Sequence, residues 1–247
     1  MKARLNNFLN KHAYAKSWLS RCYRWRLDYW RPLPGDLKRL LQKRICNLDT
    51  DSTIIQIGSN DGISGDPLYD LICDSEMRSI LVEPVPHLFK LLKTLHEPRK
   101  HVTCVNAAIS STEHALPFYV VDNKNGDLPS YFDQLGSFNR ATIEKQKRDY
   151  PQVSNHILEL TVPCMTFRDL QTLHDVKRAD FIHVDAEGYD LNILKSIDLD
   201  EISNTMLLFE HVHIEQSDYR SYLKQLKSLG YKTRDCGADT IAWRNVA

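Results

Sequence analysis

The stretch Thr53-Ile54-Ile55-Gln56-Ile57-Gly58-Ser59-Asn60-Asp61-Gly62 constrains this chain more than any other. A β-branched run leads into a turn with glycine at both ends, and a helix-like pattern follows from about Ser64. Strand, tight turn and helix in that order are how a parallel α/β sheet opens a nucleotide-type site. Gly58 lacks the Cβ that would hold a ligand away from the backbone, and Ser59, Asn60 and Asp61 set short polar groups at the lip. An exposed turn has no structural need for four such residues, whereas they suit an amino-acid-like ligand carrying both charges. Gly-rich turns of this kind also occur in sheets that bind nothing.

The rest of the chain fits a sheet built of alternating strands and helices. Residues 67–75 read as a short helix, 78–82 as a second strand ending at Glu83-Pro84, 87–95 as a helix and 102–109 as a third strand. Residues 116–121 look like an extra strand at the sheet's edge, and 157–165 form another extended run. Thr166 is placed to cap a short helix reaching Leu173. A buried strand then delivers Asp185 at its carboxyl end, before a helix over 189–197. A strand at 205–210, an amphipathic helix at 216–229 stopped by Gly230, and a hairpin of 231–236 with 240–243 complete the chain. Such alternation implies right-handed βαβ units in a parallel sheet.

In open parallel sheets ligands bind at the carboxyl ends of the strands, and the acids of this chain gather there. Glu83 lies some twenty residues past the glycine turn, at the end of the next strand, where an acid accepts hydrogen bonds from ribose hydroxyls. The bland alternative is an exposed carboxylate before a proline. Asp185, Glu187 and Asp190 cluster at the end of the later strand; one of them could cap the next helix, and three exceed what capping needs. Glu210, His211 and His213 fall at the same edge, where histidine is often a satisfied surface residue and sometimes a functional one.

Composition narrows the setting. Hydrophobic content of 42% and charged content of 26% are those of an ordinary globular domain. Net charge is zero, yet residues 1–48 hold twelve Lys and Arg against two acids, so the remainder carries a matching acidic excess. The expected organisation is a basic, aromatic, helical segment at 1–48 followed by an α/β domain at 49–247. Tyr14, Trp18, Cys22, Trp25 and Tyr29 form one helical stripe there. It covers an edge of the domain, or else contacts anionic lipid or an acidic partner. An acidic body argues against nucleic acid. Six scattered cysteines without a C-x-x-C pair suggest reduced thiols, and no apolar run approaches the ~18–20 residues that span a bilayer. A cytoplasmic protein with peripheral membrane contact at most is expected. Residues 122–156 are long, polar and poor in strands, which favours a lid over the substrate.

These stretches resemble the FkbM family of S-adenosylmethionine-dependent methyltransferases. The likeness is carried by Gln56-Ile57-Gly58-Ser59-Asn60-Asp61-Gly62, Val82-Glu83-Pro84, Thr166-Phe167-Arg168-Asp169-Leu170 and above all Asp185-Ala186-Glu187-Gly188-Tyr189-Asp190, in that order. It implies the class I methyltransferase fold, a seven-stranded sheet, parallel but for one strand of a terminal hairpin, with helices on both faces. By position, Gly58, Ser59, Asn60, Asp61 and Gly62 would cradle the methionine part of S-adenosylmethionine, Glu83 the ribose, and Asn106 and Ala107 the adenine. Asp185 would face the sulfonium and the acceptor, with Glu187 and His213 on the acceptor side. The implied reaction is methylation of a hydroxyl on a sugar or secondary metabolite, with Asp185 and His211 as candidate bases. Asp185, Glu187, Glu210, His211 and His213 also offer ligands for a divalent metal that would acidify the hydroxyl instead. Two positions depart from the pattern: Gln56 stands where methyltransferases commonly have an acid, and His183 where relatives often have lysine. A catalytically inactive binding module is the alternative from another class.

Overall fold

The computed structural model describes residues 48, 50–111, 114–202 and 206–244. The basic aromatic segment, Leu48 apart, and the roles expected of it lie outside the described residues. In chain order the strands are β1 (Thr53–Ile57), β2 (Arg78–Val82), β3 (Val102–Val105), β4 (Ala108–Ile109), β5 (Leu116–Val121), β6 (Gly136–Ser137), β7 (Ile157–Val162), β8 (Cys164–Met165), β9 (Phe181–Val184), β10 (Met206–Glu210), β11 (Lys232–Asp235) and β12 (Asp239–Trp243). The α-helices are α1 (Tyr69–Asp74), α2 (Pro86–His96), α3 (Arg140–Glu144), α4 (Phe167–Leu173), α5 (Asp190–Ser196) and α6 (Gln216–Ser228).

Every residue of β1 is buried, because β1 is an inner strand of a seven-stranded sheet of order β11-β12-β10-β9-β1-β2-β3. Alternation then sends its side chains to opposite faces. Ile55 and Ile57 pack with Phe167, Leu170, Ile193, Leu194 and Leu226, from α4, α5 and α6. Ile54 packs with Leu71, Ile72 and Leu92, from α1 and α2, on the other side. Burying one such side chain fully stabilises the fold by about 1.5–3 kcal/mol, so a five-residue strand with apolar groups on both faces anchors two layers of helices. β1 pairs in parallel with β2 and β9, and β12 runs antiparallel to β10. All strand tips that carry the candidate acids therefore point the same way.

Two strands differ from the expectation. The run at 102–109 is not one strand: β3 ends at Val105, and β4 leaves the main sheet to pair with β8. Asn106 causes the break, since its Nδ2 donates to the backbone oxygens of Glu83 (2.8 Å) and Pro84 (3.0 Å) and turns the chain. Nor does β5 extend the main sheet at its edge; it pairs antiparallel with β6 and β7 in a separate three-stranded sheet. Residues 122–156 connect β5 to β7 and carry a small core of their own, in which Leu128, Phe132, Ile143 and Val153 are buried together. Phe132 meets the rings of Tyr131 and Tyr150 at 4.5 and 5.0 Å. These aromatics order a segment that polarity alone marks as a loop.

Thr166 caps α4 as expected. Its Oγ1 accepts from Asp169 N (3.1 Å), and Asp169 Oδ2 accepts from Thr166 N (2.9 Å), completing a capping box. Thr166→Ala should destabilise the protein by about 1 kcal/mol, measured by urea unfolding; an unchanged midpoint would show that the box contributes nothing.

Candidate active site

A cavity of about 320 Å³ opens at the carboxyl ends of β1, β2, β9 and β10, a volume within the usual range for small-molecule sites. Gly58, Ser59, Asn60, Glu83, Ala107, Asp185, Glu187 and His213 all line it. Three strand tips predicted separately thus converge on one pocket.

At the β1 tip, Gly58 has φ +81°, and a Cβ there would lie 1.7 Å from the Asp185 backbone oxygen. The glycine is required by the close approach of the two strand ends rather than by a ligand. Asn60, itself at φ +53°, donates its backbone N–H to Glu83 Oε2 (2.8 Å), while Val85 N donates to Glu83 Oε1 (2.8 Å). Glu83 is buried. Desolvation pushes its carboxyl up to about 7 against the lowering effect of those two backbone bonds. A carboxylate fixed this firmly, with lone pairs left toward the cavity, is preorganised to accept hydroxyl donors.

Four of the expected residues do not line the cavity. Asp61 folds the turn, accepting from Ile63 N (3.0 Å) and Ser64 N (2.8 Å) on Oδ1 and from Ser64 Oγ on Oδ2 (2.6 Å). Gly62, at φ +79°, lets α2 approach, since a Cβ would lie 2.5 Å from Leu92 Cδ1. Asn106 spends its amide on the backbone after β2. His211 stacks on Tyr219 with ring centroids 4.5 Å apart, and its Nδ1 is 3.0 Å from Thr240 Oγ1. That placement holds the His211 ring off the cavity wall; of the two histidines after β10, His213 is the one that lines the cavity.

The other end is built from the turn after β9. Asp190 Oδ1 accepts from Ala186 N (2.8 Å) and Oδ2 from Gly188 N (2.9 Å), so this acid closes the turn; burial lifts it to about 6. Ser137 Oγ donates to the Glu187 backbone oxygen (2.7 Å), tying the turn to β6. Glu187 adopts φ +47° and Gly188 φ +95°, which brings Glu187 beside His213. His213 Nε2 is 3.5 Å from Glu187 Oε2 and 3.7 Å from Glu210 Oε2. Asp185 has no side-chain hydrogen bond among the described residues. Desolvation first, and then the charges of Glu210, Glu187, Asp190 and Asp239, hold its carboxyl well above the usual carboxylate range.

Sequence reasoning missed a polar group at the opposite end. Gln56 Nε2 donates to Asp66 Oδ1 (2.9 Å) and lies 3.3 Å from His183 Nδ1. Its Oε1 is buried without a hydrogen-bond partner. Burial pushes Asp66 up to about 7 and His183 down to about 4, so at neutral pH Gln56 and His183 are uncharged and Asp66 is only partly ionised. Gln56 and His183 stood out as departures from the family pattern, but no spacing rule links either to Asp66. The insertion adds Tyr131 and Phe138 to the wall, beside Phe118 of β5; Phe138 meets Phe118 edge-to-face (5.1 Å) and Tyr189 at a tilt (4.7 Å).

The strand order, the reversed β12 and a cavity at the switch beside β1 define a class I methyltransferase-like domain. The model of the FkbM methyltransferase domain matches residues 56–233. The chain belongs to the FkbM methyltransferase family. No curated protein matches it. Among solved structures it is similar to an FkbM methyltransferase from Methylobacillus flagellatus KT, at 13% identity and TM-score 0.47, covering 80% of this chain and 44% of that one. It is similar as well to a precorrin-6Y C5,15-methyltransferase from Geobacter metallireducens GS-15, at 12% identity and TM-score 0.42, covering 89% and 94%. A fibrillarin from Aeropyrum pernix in complex with S-adenosyl-L-methionine shows 12% identity and TM-score 0.41, covering 84% and 74%. Overlaps this distant carry no functional weight. The chain spans less than half of the Methylobacillus flagellatus protein. No described helix is long and apolar enough to cross a membrane.

Proposed function

We propose that the protein transfers a methyl group from S-adenosylmethionine to a hydroxyl oxygen of a small-molecule or glycan acceptor. The observation that carries this reading is the convergence of the β1 turn, Glu83 and Asp185 on one cavity. The residues present fit the donor. The fixed Glu83 carboxylate suits a ribose diol, and the orphaned Gln56 Oε1 suits the donor's ammonium group. The unpartnered Asp185 suits a neighbouring positive charge. When bound, S-adenosylmethionine supplies a methyl group already activated by its sulfonium.

The chain's own task is then alignment and removal of one proton. Phe118, Tyr131 and Phe138 wall the cavity with apolar surface that excludes water and seats the acceptor's carbon frame. Asp185, which lines the cavity, would take the hydroxyl proton. The freed oxygen electron pair would form the new O–C bond, the C–S bonding pair leaving with the donor's sulfur. General-base help of this kind contributes about 10²–10⁴-fold. Calorimetric titration decides the donor: S-adenosylmethionine should bind with saturation and NAD should not. A protein that ignores S-adenosylmethionine has another function.

A further inference from the structure

The cavity is charged one way. Its described lining includes five acids, Asp66, Glu83, Asp185, Glu187 and Glu210, and no lysine or arginine. Glu83 is committed to backbone N–H groups, and Asp66 to Gln56 and the Leu68 N–H. The remaining three carboxylates crowd together at the acceptor end, with His213 among them. Carboxylates held this close repel one another, and a cation between them relieves that repulsion.

Two of these carboxylates and the histidine bring ligand atoms close together. Glu187, Glu210 and His213 each offer a ligand atom, all within 4.8 Å of one another. The His213 Nε2 contacts of 3.5 and 3.7 Å are too long for hydrogen bonds. Atoms bound about 2.1 Å from a shared ion sit roughly 3.0–3.4 Å apart, so a small rotation of each side chain completes the set. The three are held from different directions: Glu210 ends β10, His213 follows it in the next turn, and Glu187 is presented by a left-handed residue whose carbonyl Ser137 anchors.

We propose that Glu187, Glu210 and His213 form a divalent-cation site at the acceptor end of the cavity. Two carboxylates and one imidazole suit a Mn²⁺- or Zn²⁺-like ion, and three protein ligands leave positions open toward the acceptor. The inference deepens the O-methyl transfer reading and rests on it for its chemistry. A divalent charge there lowers the pKa of an acceptor hydroxyl and holds it, or a pair of neighbouring hydroxyls, in one orientation. The acceptor class this favours is a polyol or vicinal diol without negative charge.

The test is titration of the full chain, stripped with chelator, with Mn²⁺ followed by electron paramagnetic resonance. The expected result is one site per chain with a dissociation constant tighter than about 10⁻⁴ M. The near-isosteric variants Glu187→Gln and His213→Gln should each weaken it by at least about tenfold, with unchanged circular dichroism showing that they fold. Two results would overturn the site: no saturable binding of Mn²⁺, Mg²⁺ or Zn²⁺ below about 1 mM, or binding that both variants leave untouched. Calorimetry with S-adenosylmethionine on the same stripped protein separates the two readings. Donor binding without metal binding removes the cation site alone, whereas absent donor binding removes the methyltransferase reading.

Discussion

Gly58→Ala is expected to destabilise the protein by about 2–5 kcal/mol, a large share of the whole stability of a domain this size. Two costs combine. The left-handed φ of +81° costs an L-residue about 1–2 kcal/mol. The new Cβ meets the Asp185 backbone oxygen at 1.7 Å, and overpacking against atoms that cannot rotate away adds about 1–3 kcal/mol. Relief requires β1 and β9 to part at their tips, where Asp185 N donates to the Ile57 oxygen at 3.0 Å. The site should therefore open as stability falls. Gly65→Ala is the control: its φ is +71°, yet nothing lies within 4 Å of the added Cβ, so only the backbone cost of about 1–2 kcal/mol applies. Urea unfolding of both variants separates strain from collision. If Gly58→Ala loses no more than Gly65→Ala, the close approach at Asp185 is not what fixes this glycine.

That result bears on how much the sequence discloses. β1 was legible because a strand buried on both faces leaves a short, mostly β-branched run, and the glycine after it marked the turn. The reason for the glycine was not legible, because the atom it makes room for is 127 residues away in sequence. The same distance problem separates His211 from His213. The two stand two residues apart after one strand. What selects between them is the Tyr219 ring on α6, Thr240 on β12 and the Ala238 carbonyl that takes the His211 N–H at 2.9 Å. Likewise the break at Asn106 follows from backbone oxygens beyond β2, which local propensity in an otherwise apolar run cannot anticipate. That Glu83 and Asp185 meet at the cavity was legible because their placement depends on position along a strand, and position is what a sequence records. Asp66 joins Gln56 only through the path of an irregular loop, and loop paths leave no periodicity.

Glu83→Gln should weaken S-adenosylmethionine binding by at least about 100-fold, since hydrogen bonds to charged acceptors are each worth about 1.5–3 kcal/mol. Both carboxylate oxygens already take a backbone N–H, from Asn60 and Val85. An amide offers one oxygen, and its NH₂ would face a donor. It must abandon either the turn or the ribose diol. The pH dependence sharpens the test. Burial raises the Glu83 carboxyl from 4.5 to about 7, so folding favours its protonated form. This group costs nothing below about pH 4.5, and the apo protein loses stability as pH rises from there to about 7, at about 1.4 kcal/mol per unit. Hydroxyl donors stabilise the ionised form, so wild-type affinity should strengthen from about pH 6 to 8 with a proton released on binding near pH 7. Other buried acids titrate nearby, but the difference between wild type and Glu83→Gln isolates this one. Calorimetry in two buffers of unlike ionisation heat reads the released proton. A variant that binds within threefold of wild type, or keeps the full wild-type pH slope, would detach Glu83 from the cofactor.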